Sequence, residues 1–154
     1  MHAIRRNFLQ RCARAGAAAL GFASGLAKPL LALAAEWNKA AFDATNLAEA
    51  LKSAGTAGAF ESKDLLLKVQ EHAENSAVVQ LEVSSKIPGT TSIAVFVDKN
   101  PRPLVADVSF QNGAEPYLFM VTKMAETSRI RAVARAGGKT YVTTREVAVT
   151  TSGC

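Results

Sequence analysis

From Asp64 to Val149 the chain is a succession of short β-rich runs, each closed by a turn signal, and this pattern constrains the fold more than any other feature. The runs are Leu65–Val69, Val78–Ser84, Ser92–Val97, Leu104–Phe110, Tyr117–Val121, Ile130–Ala134 and Thr140–Val149. Val, Ile, Thr and Phe enrich them, side chains that suit a pleated, half-buried surface. Pro88-Gly89, Asp98-Lys99-Asn100-Pro101, Gln111-Asn112-Gly113 and Gly137-Gly138-Lys139 punctuate the runs. Val79, Leu81 and Val83 alternate with Gln80 and Glu82, so that strand is expected to bury one face. Short strands with a turn every ~8–12 residues predict a mainly β fold, an immunoglobulin-like antiparallel β-sandwich.

One helix is expected ahead of the strands. Trp37, Ala40, Ala41, Ala44, Leu47, Ala48 and Leu51 recur at three- and four-residue spacing, which predicts a single amphipathic helix over 36–54. Gly55 is a plausible stop, and Thr56 to Ala59 reads as a small-residue connector. Trp37 is expected to pack on that helix.

The first 34 residues read differently. Arg5, Arg6, Arg11 and Arg14 precede a mildly apolar run, Ala15 to Ala27, and Ala32-Leu33-Ala34 has the small-x-small form of a cleavage site. An apolar run of this length falls short of the ~20 residues needed to span a bilayer, so a permanent anchor is not expected. Arg5-Arg6-Asn7-Phe8-Leu9 resembles a twin-arginine export motif. The expected division is therefore a twin-arginine-type signal peptide at 1–34, a folded domain at 35–149 and a flexible C-terminal arm at 150–154, with the mature protein in the periplasm.

Charge supports this division. The chain has 18 Lys and Arg against 13 Asp and Glu, a net charge of +5. The segment 1–34 holds five of the basic residues (Lys28 is the fifth) and no acidic one, so the rest is neutral. That removes the argument for a nucleic-acid or membrane surface on the domain. Inside it, residues 35–82 carry a net −4 and residues 121–154 a net +4. Two solvated faces would account for this asymmetry. The functional reading is that Arg129, Arg131 and Arg135, with Lys139 and Arg145, favour anions or an acidic partner.

The chemical inventory is short. Beyond the leader His72 is the lone histidine, expected at the surface or a helix end, and no Cys/His set has metal-ligand spacing. No cofactor, metal or catalytic residue is expected. Cys12 falls in the leader, which leaves Cys154 without an intrachain disulfide partner. It follows Thr150-Thr151-Ser152-Gly153, a small polar tail expected to be flexible. An idle thiol and a reactive thiol on an arm both fit the residues. An unperturbed thiol, with a pKa near ~8.5, is a few per cent thiolate at neutral pH, so its reaction would depend on a partner.

Several segments decide which family the chain resembles. They are Trp37 to Phe42, Ala73 to Val79, Pro88 to Ala94, Lys99-Asn100-Pro101 with Pro103, Lys123 to Ser128, and Ala136 to Lys139. Through them residues 36–154 resemble SoxY, the sulfur-carrier subunits of periplasmic thiosulfate oxidation. The resemblance implies a carrier and not an enzyme. Cys154 would be the covalent attachment residue, with Ser152 and Gly153 in its arm. Sulfur would be held as an S-thiosulfonate and then a persulfide. It also implies a SoxZ-like β-sandwich subunit as heterodimer partner, a c-type cytochrome that loads thiosulfate, and a di-manganese hydrolase that releases sulfate. The family's tail reads Gly-Gly-Cys-Gly-Gly, whereas this sequence has Ser152-Gly153-Cys154 with no Gly-Gly after it. A longer native tail and a divergent member are both compatible with that departure. The alternative is a SoxY-like accessory protein whose terminal Cys forms an intermolecular disulfide or has no sulfur role.

Overall fold

The structure is a computed structural model and describes residues 37–150. All described residues lie in one compact unit, within Ala35–Cys154. The expected signal peptide lies outside the described residues.

Among the described residues two short helices come first, α1 (Lys39–Asp43) and α2 (Leu47–Ser53). Nine strands follow: β1 (Phe60–Glu61), β2 (Leu65–Val69), β3 (His72–Ala73), β4 (Val79–Ser85), β5 (Thr90–Val97), β6 (Leu104–Ser109), β7 (Tyr117–Thr122), β8 (Ser128–Ala136) and β9 (Lys139–Val149). They form a larger sheet in the order β1-β9-β8-β5-β6, with β3 also on β9, and a smaller sheet in the order β2-β4-β7. The fold is mainly β, in two sheets. Every strand expected from the runs is present. The expectation missed β1 and β3, each too short to show an alternation. Both pair with β9 in parallel, so the larger sheet is mixed rather than wholly antiparallel.

The single helix expected over 36–54 is corrected to two. The break falls at Ala44-Thr45-Asn46 and has a local cause. Asn38 and Asn46 both act as N-caps, their side-chain oxygens accepting from the N–H of Ala41 (3.1 Å) and Glu49 (2.9 Å). Ala44 and Asn46 are extended, at φ −57°, ψ 133° and φ −139°, ψ 156°. An Asn that satisfies the first N–H groups of a new helix competes with continuation of the old one. The Asn38 side chain also donates to the Ser53 carbonyl (2.8 Å), which ties the start of α1 to the end of α2. Lys39 and Asp43 pair along α1, and that hydrogen bond holds the Asp43 carboxyl below its ordinary pKa. Trp37 precedes α1 and stacks on Phe42 at 4.2 Å between ring centroids, yet it is 67% exposed.

Two cores flank the larger sheet. Between the sheets, Leu65, Leu67, Val79, Leu81 and Val83 pack against Ile93, Val95, Val97, Ile130, Ala132 and Val147. On the outer side, Phe96, Ala94, Leu104 and Val133 pack against Ala41, Ala44, Ala50 and Ala54 of the helical segment. Alanine lets the helix backbone approach the sheet closely, and Phe96 fills the space between. The β8–β9 hairpin closes through the two residues Gly137 and Gly138, at φ +56° and +74°. A two-residue loop with both φ positive matches the twist of the strands, and glycine adopts it without strain.

Phe96→Ala should cost about 3–5 kcal/mol, measured by urea unfolding, because both the ring and the seat of the helices are lost. Trp37→Ala should cost less than about 1 kcal/mol, since an exposed ring gives up little buried surface.

Candidate functional site

The end of β9 is where the chain leaves the folded domain toward Cys154, and it is held on both sides. On one side the Ala148 N–H donates to the Glu71 carbonyl (2.9 Å) and the Thr150 N–H to the Ala73 carbonyl (3.0 Å). On the other, the Val149 N–H donates to Thr127 Oγ1 (3.1 Å). The β3 part of this clamp is two residues long, His72 against Ala148 and Ala73 against Val149. Asn75 shapes the return from β3: its side chain accepts from the Ala77 N–H (2.9 Å), an Asx turn that redirects the chain toward β4.

Cys154, Gly153 and Ser152, the attachment residue and arm expected from the sequence, lie outside the described residues. Thr150 is the last described residue and is hydrogen-bonded to Ala73, and Cys154 follows it by four positions in the sequence. Four residues of extended chain can span at most on the order of 13 Å. His72, exposed on β3 and paired in register with Ala148, stands beside the root of this segment. It is on a strand, not at a helix end.

Arg129, Arg131 and Arg135 share one face of β8, the face turned to the helices. Each has a carboxylate partner in the chain. Arg131 makes a bidentate pair with Asp98, at 2.7 and 2.9 Å, and this bond raises the guanidinium above its ordinary pKa. Arg129 reaches the same carboxylate at 3.3 Å but is 59% exposed, while Asp98 is only 9% exposed. Arg135 binds Asp107 at 3.0 Å, Ser92 Oγ at 2.7 Å and the carbonyl of Ala54 at the end of α2. It therefore joins β5, β6, β8 and the helical segment through one planar group. Of the three, Arg129 is the one whose charge is turned to solvent.

Several clefts adjoin β9. One, of about 530 Å³, lies where β9 has no edge partner between β1 and β3, and Lys63, Leu65, Leu66, Thr143, Thr144 and Arg145 line much of it. A smaller one, of about 260 Å³, holds Asp98, Lys99, Glu126, Thr127, Arg129 and Glu146. Among the described residues no group of three or more His, Cys, Asp or Glu could hold a metal ion, and no helix is long and apolar enough to cross a membrane.

The clamp residues were not legible as a site. Glu71, His72 and Ala73 carry no periodic pattern, and Thr127 looks like an ordinary turn residue. The one local signal was the Asn75 turn.

Comparison with known proteins gives a consistent result. Residues 51–154 match the family model "Sulfur oxidation protein SoxY". Among solved structures, the sulfur carrier protein SoxY from Chlorobium limicola f thiosulfatophilum matches at 36% identity and a TM-score of 0.62, over 73% of this chain and 99% of that one. An engineered protein matches at 16% identity and a TM-score of 0.39, over 56% of this chain and 20% of that one, too weak to bear on function. No curated protein matches.

Arg135→Ala should destabilise the domain by about 2 kcal/mol or more, because Asp107 and the Ala54 carbonyl lose their donor. Arg129→Ala should cost less than about 0.5 kcal/mol, as expected of an exposed pair. Thermal unfolding of the two variants checks the contrast. Thr127→Val should speed hydrogen exchange at the Val149 amide with a global loss of only about 1 kcal/mol.

Proposed function

The chain belongs to the SoxY family of sulfur oxidation proteins, and from that premise we propose that it is a covalent sulfur carrier whose attachment residue is Cys154. A sulfur-carrier role in general follows from the family and from the likeness to a SoxY sulfur carrier. What supports Cys154 is the anchoring of Thr150 to Ala73, since Cys154 follows that held residue by four positions in the sequence. In this reading the thiol reaches a partner's site while the domain stays folded. Ser152 and Gly153 are small enough to follow it into a narrow channel.

In this reading the thiolate of Cys154 forms a sulfur–sulfur bond with the terminal sulfur of thiosulfate. The electron pair released passes to a c-type cytochrome, and the product is a cysteine S-thiosulfonate. Water then attacks the sulfonate sulfur at a di-manganese hydrolase. Sulfate leaves, protons are released, and a persulfide stays on the cysteine. The chain carries and its partners catalyse. Its constant partner is a SoxZ-like β-sandwich subunit, and the pair works in the periplasm after twin-arginine export through the leader at 1–34. Arg131 and Arg135 serve inside the domain, so Arg129 is the member of that group left to meet a partner or an anion. The immunoglobulin-like character expected of the sandwich belongs to the same reading.

Mass spectrometry tests this directly. The mature chain is incubated with thiosulfate and the loading cytochrome, with Cys154→Ser as control. A thiosulfate-sized adduct on Cys154, matched by reduction of the cytochrome and absent from the variant, is the expected result. An unmodified Cys154 beside a cytochrome shown to be active would overturn the proposal. In the same assay Arg129→Glu should slow loading at low salt and have less effect at high salt, whereas a merely structural residue would show no such salt dependence.

A further inference from the structure

Two turn segments that lie far apart in the sequence meet near the end of β9: Lys99 to Pro101, which follows β5, and Lys123 to Thr127, which precedes β8. The regular pairing of β8 with β9 stops at Ser128 opposite Val147. The next rung is made by a side chain, with Thr127 Oγ1 accepting from the Val149 N–H (3.1 Å). A hydroxyl serves as a rung only if its own main chain is held in place, and residues 123–127 belong to no strand.

Asn100 supplies that hold. Its Nδ2 donates to the Lys123 carbonyl (2.8 Å) and its Oδ1 accepts from the Ala125 N–H (2.9 Å). One side chain thus satisfies an acceptor and a donor two residues apart. A primary amide can do this, whereas a carboxylate of the same shape lacks the donor. Asn100 is itself referenced to the core. Its N–H donates to the Val97 carbonyl (3.2 Å), the Lys99 N–H to Ser128 Oγ (3.1 Å) and the Asp98 N–H to the Arg129 carbonyl (2.9 Å). The chain that leaves the fully buried end of β5, Val95 to Val97, therefore runs on beside the start of β8. On its other side the segment is pinned by Met124, which is fully buried between the sheets and donates its N–H to the Ser76 carbonyl (2.8 Å). Lys99 and Glu126 add an ion pair at 3.6 Å, exposed and so worth little.

We propose that Asn100 is a positioning residue for the carrier arm: through residues 123–127 it fixes Thr127, and through Thr127 it sets the direction in which the chain leaves β9. This role rests on the carrier reading of Cys154 and deepens it, by naming a residue far from the thiol in sequence on which its presentation depends. An exit restricted to one direction leaves less freedom to be lost when a partner takes the thiol. Asn100 takes no part in the chemistry. It acts on the root of the arm, and only through Thr127.

Amide exchange of the mature chain, followed by NMR, tests the contact. Asn100→Ala should speed exchange at the Val149 amide on the order of fivefold. Asn100→Asp, which keeps the acceptor for Ala125 and loses the donor for Lys123, should move it in the same direction. In a Thr127→Val background Asn100→Ala should change that amide by less than about twofold, because the contact through which it acts is already gone. Loading tests the consequence, with the carrier varied in the cytochrome-reduction assay at a temperature where circular dichroism shows every variant folded. Asn100→Ala should raise the carrier concentration for half-maximal rate on the order of threefold and leave the maximal rate within about twofold. A residue of merely structural role would move neither quantity once folded. Equal acceleration of Val149 exchange with and without Thr127 would overturn the proposal, and so would an unchanged half-maximal concentration. If the wild-type chain loads on Cys154 and Asn100→Ala loads identically, the positioning role alone falls. If the wild-type chain does not load, the carrier reading falls and takes the positioning role with it.

Discussion

Strand β5 has no wet face. Ile93, Val95 and Val97 point into the space between the sheets, and Ala94 and Phe96 point to the helices, all fully buried. Each large apolar side chain of this set contributes on the order of 1.5–3 kcal/mol by leaving water. A strand buried on both sides needs two covers. The smaller sheet supplies one, and the helical segment supplies the other through four alanines. The break between α1 and α2 is part of this arrangement. Ala41 and Ala44 at one side of the break, and Ala50 and Ala54 at the other, all reach the same outer core.

The charged groups follow from the same layering. Arg131 and Arg135 project from β8 on the helix side, where bare guanidinium groups would be costly to bury. Asp98 and Asp107 meet them, from 33 and 28 residues away in the chain. Both carboxylates belong to the stretch between the acidic first part and the basic last part of the domain. The apparent excess of positive charge near the C-terminus is in good part balanced inside the molecule. Arg135 does more than balance charge, because its bond to the Ala54 carbonyl anchors the end of α2 to the sheet.

β9 links the fold to the function proposed for it. It is the longest of the described strands, and β8 pairs with it from Lys139 to Val147. Its other edge is covered only at its two ends, by β1 and β3. The second cover matters most, since it carries regular hydrogen bonding as far as Thr150. A covalent carrier needs a firm base and a short reach. Two short parallel contacts supply the base, and the clefts on either side leave room around the strand.

The seven principal strands were legible because alternation and turn residues are local: Val79, Leu81 and Val83 announce a buried face wherever that face is placed. The family was legible for a similar reason, in short segments such as Lys99-Asn100-Pro101 and Ala136 to Lys139 that sit at turns. Three matters were not legible. A helical period continues across Ala44 to Asn46, yet the Asn46 cap and contact with the sheet broke the helix. β1 and β3 are too short to carry a pattern, and they exist because β9 offers them an edge. The arginines of β8 could be counted but not paired, since pairing depends on which distant carboxylate a strand register brings near. By itself the sequence determined the strand inventory, the neutral charge of the domain and the family. The tertiary structure alone decided which edges stay open and which charges are spent, because both depend on contacts between residues far apart in the chain.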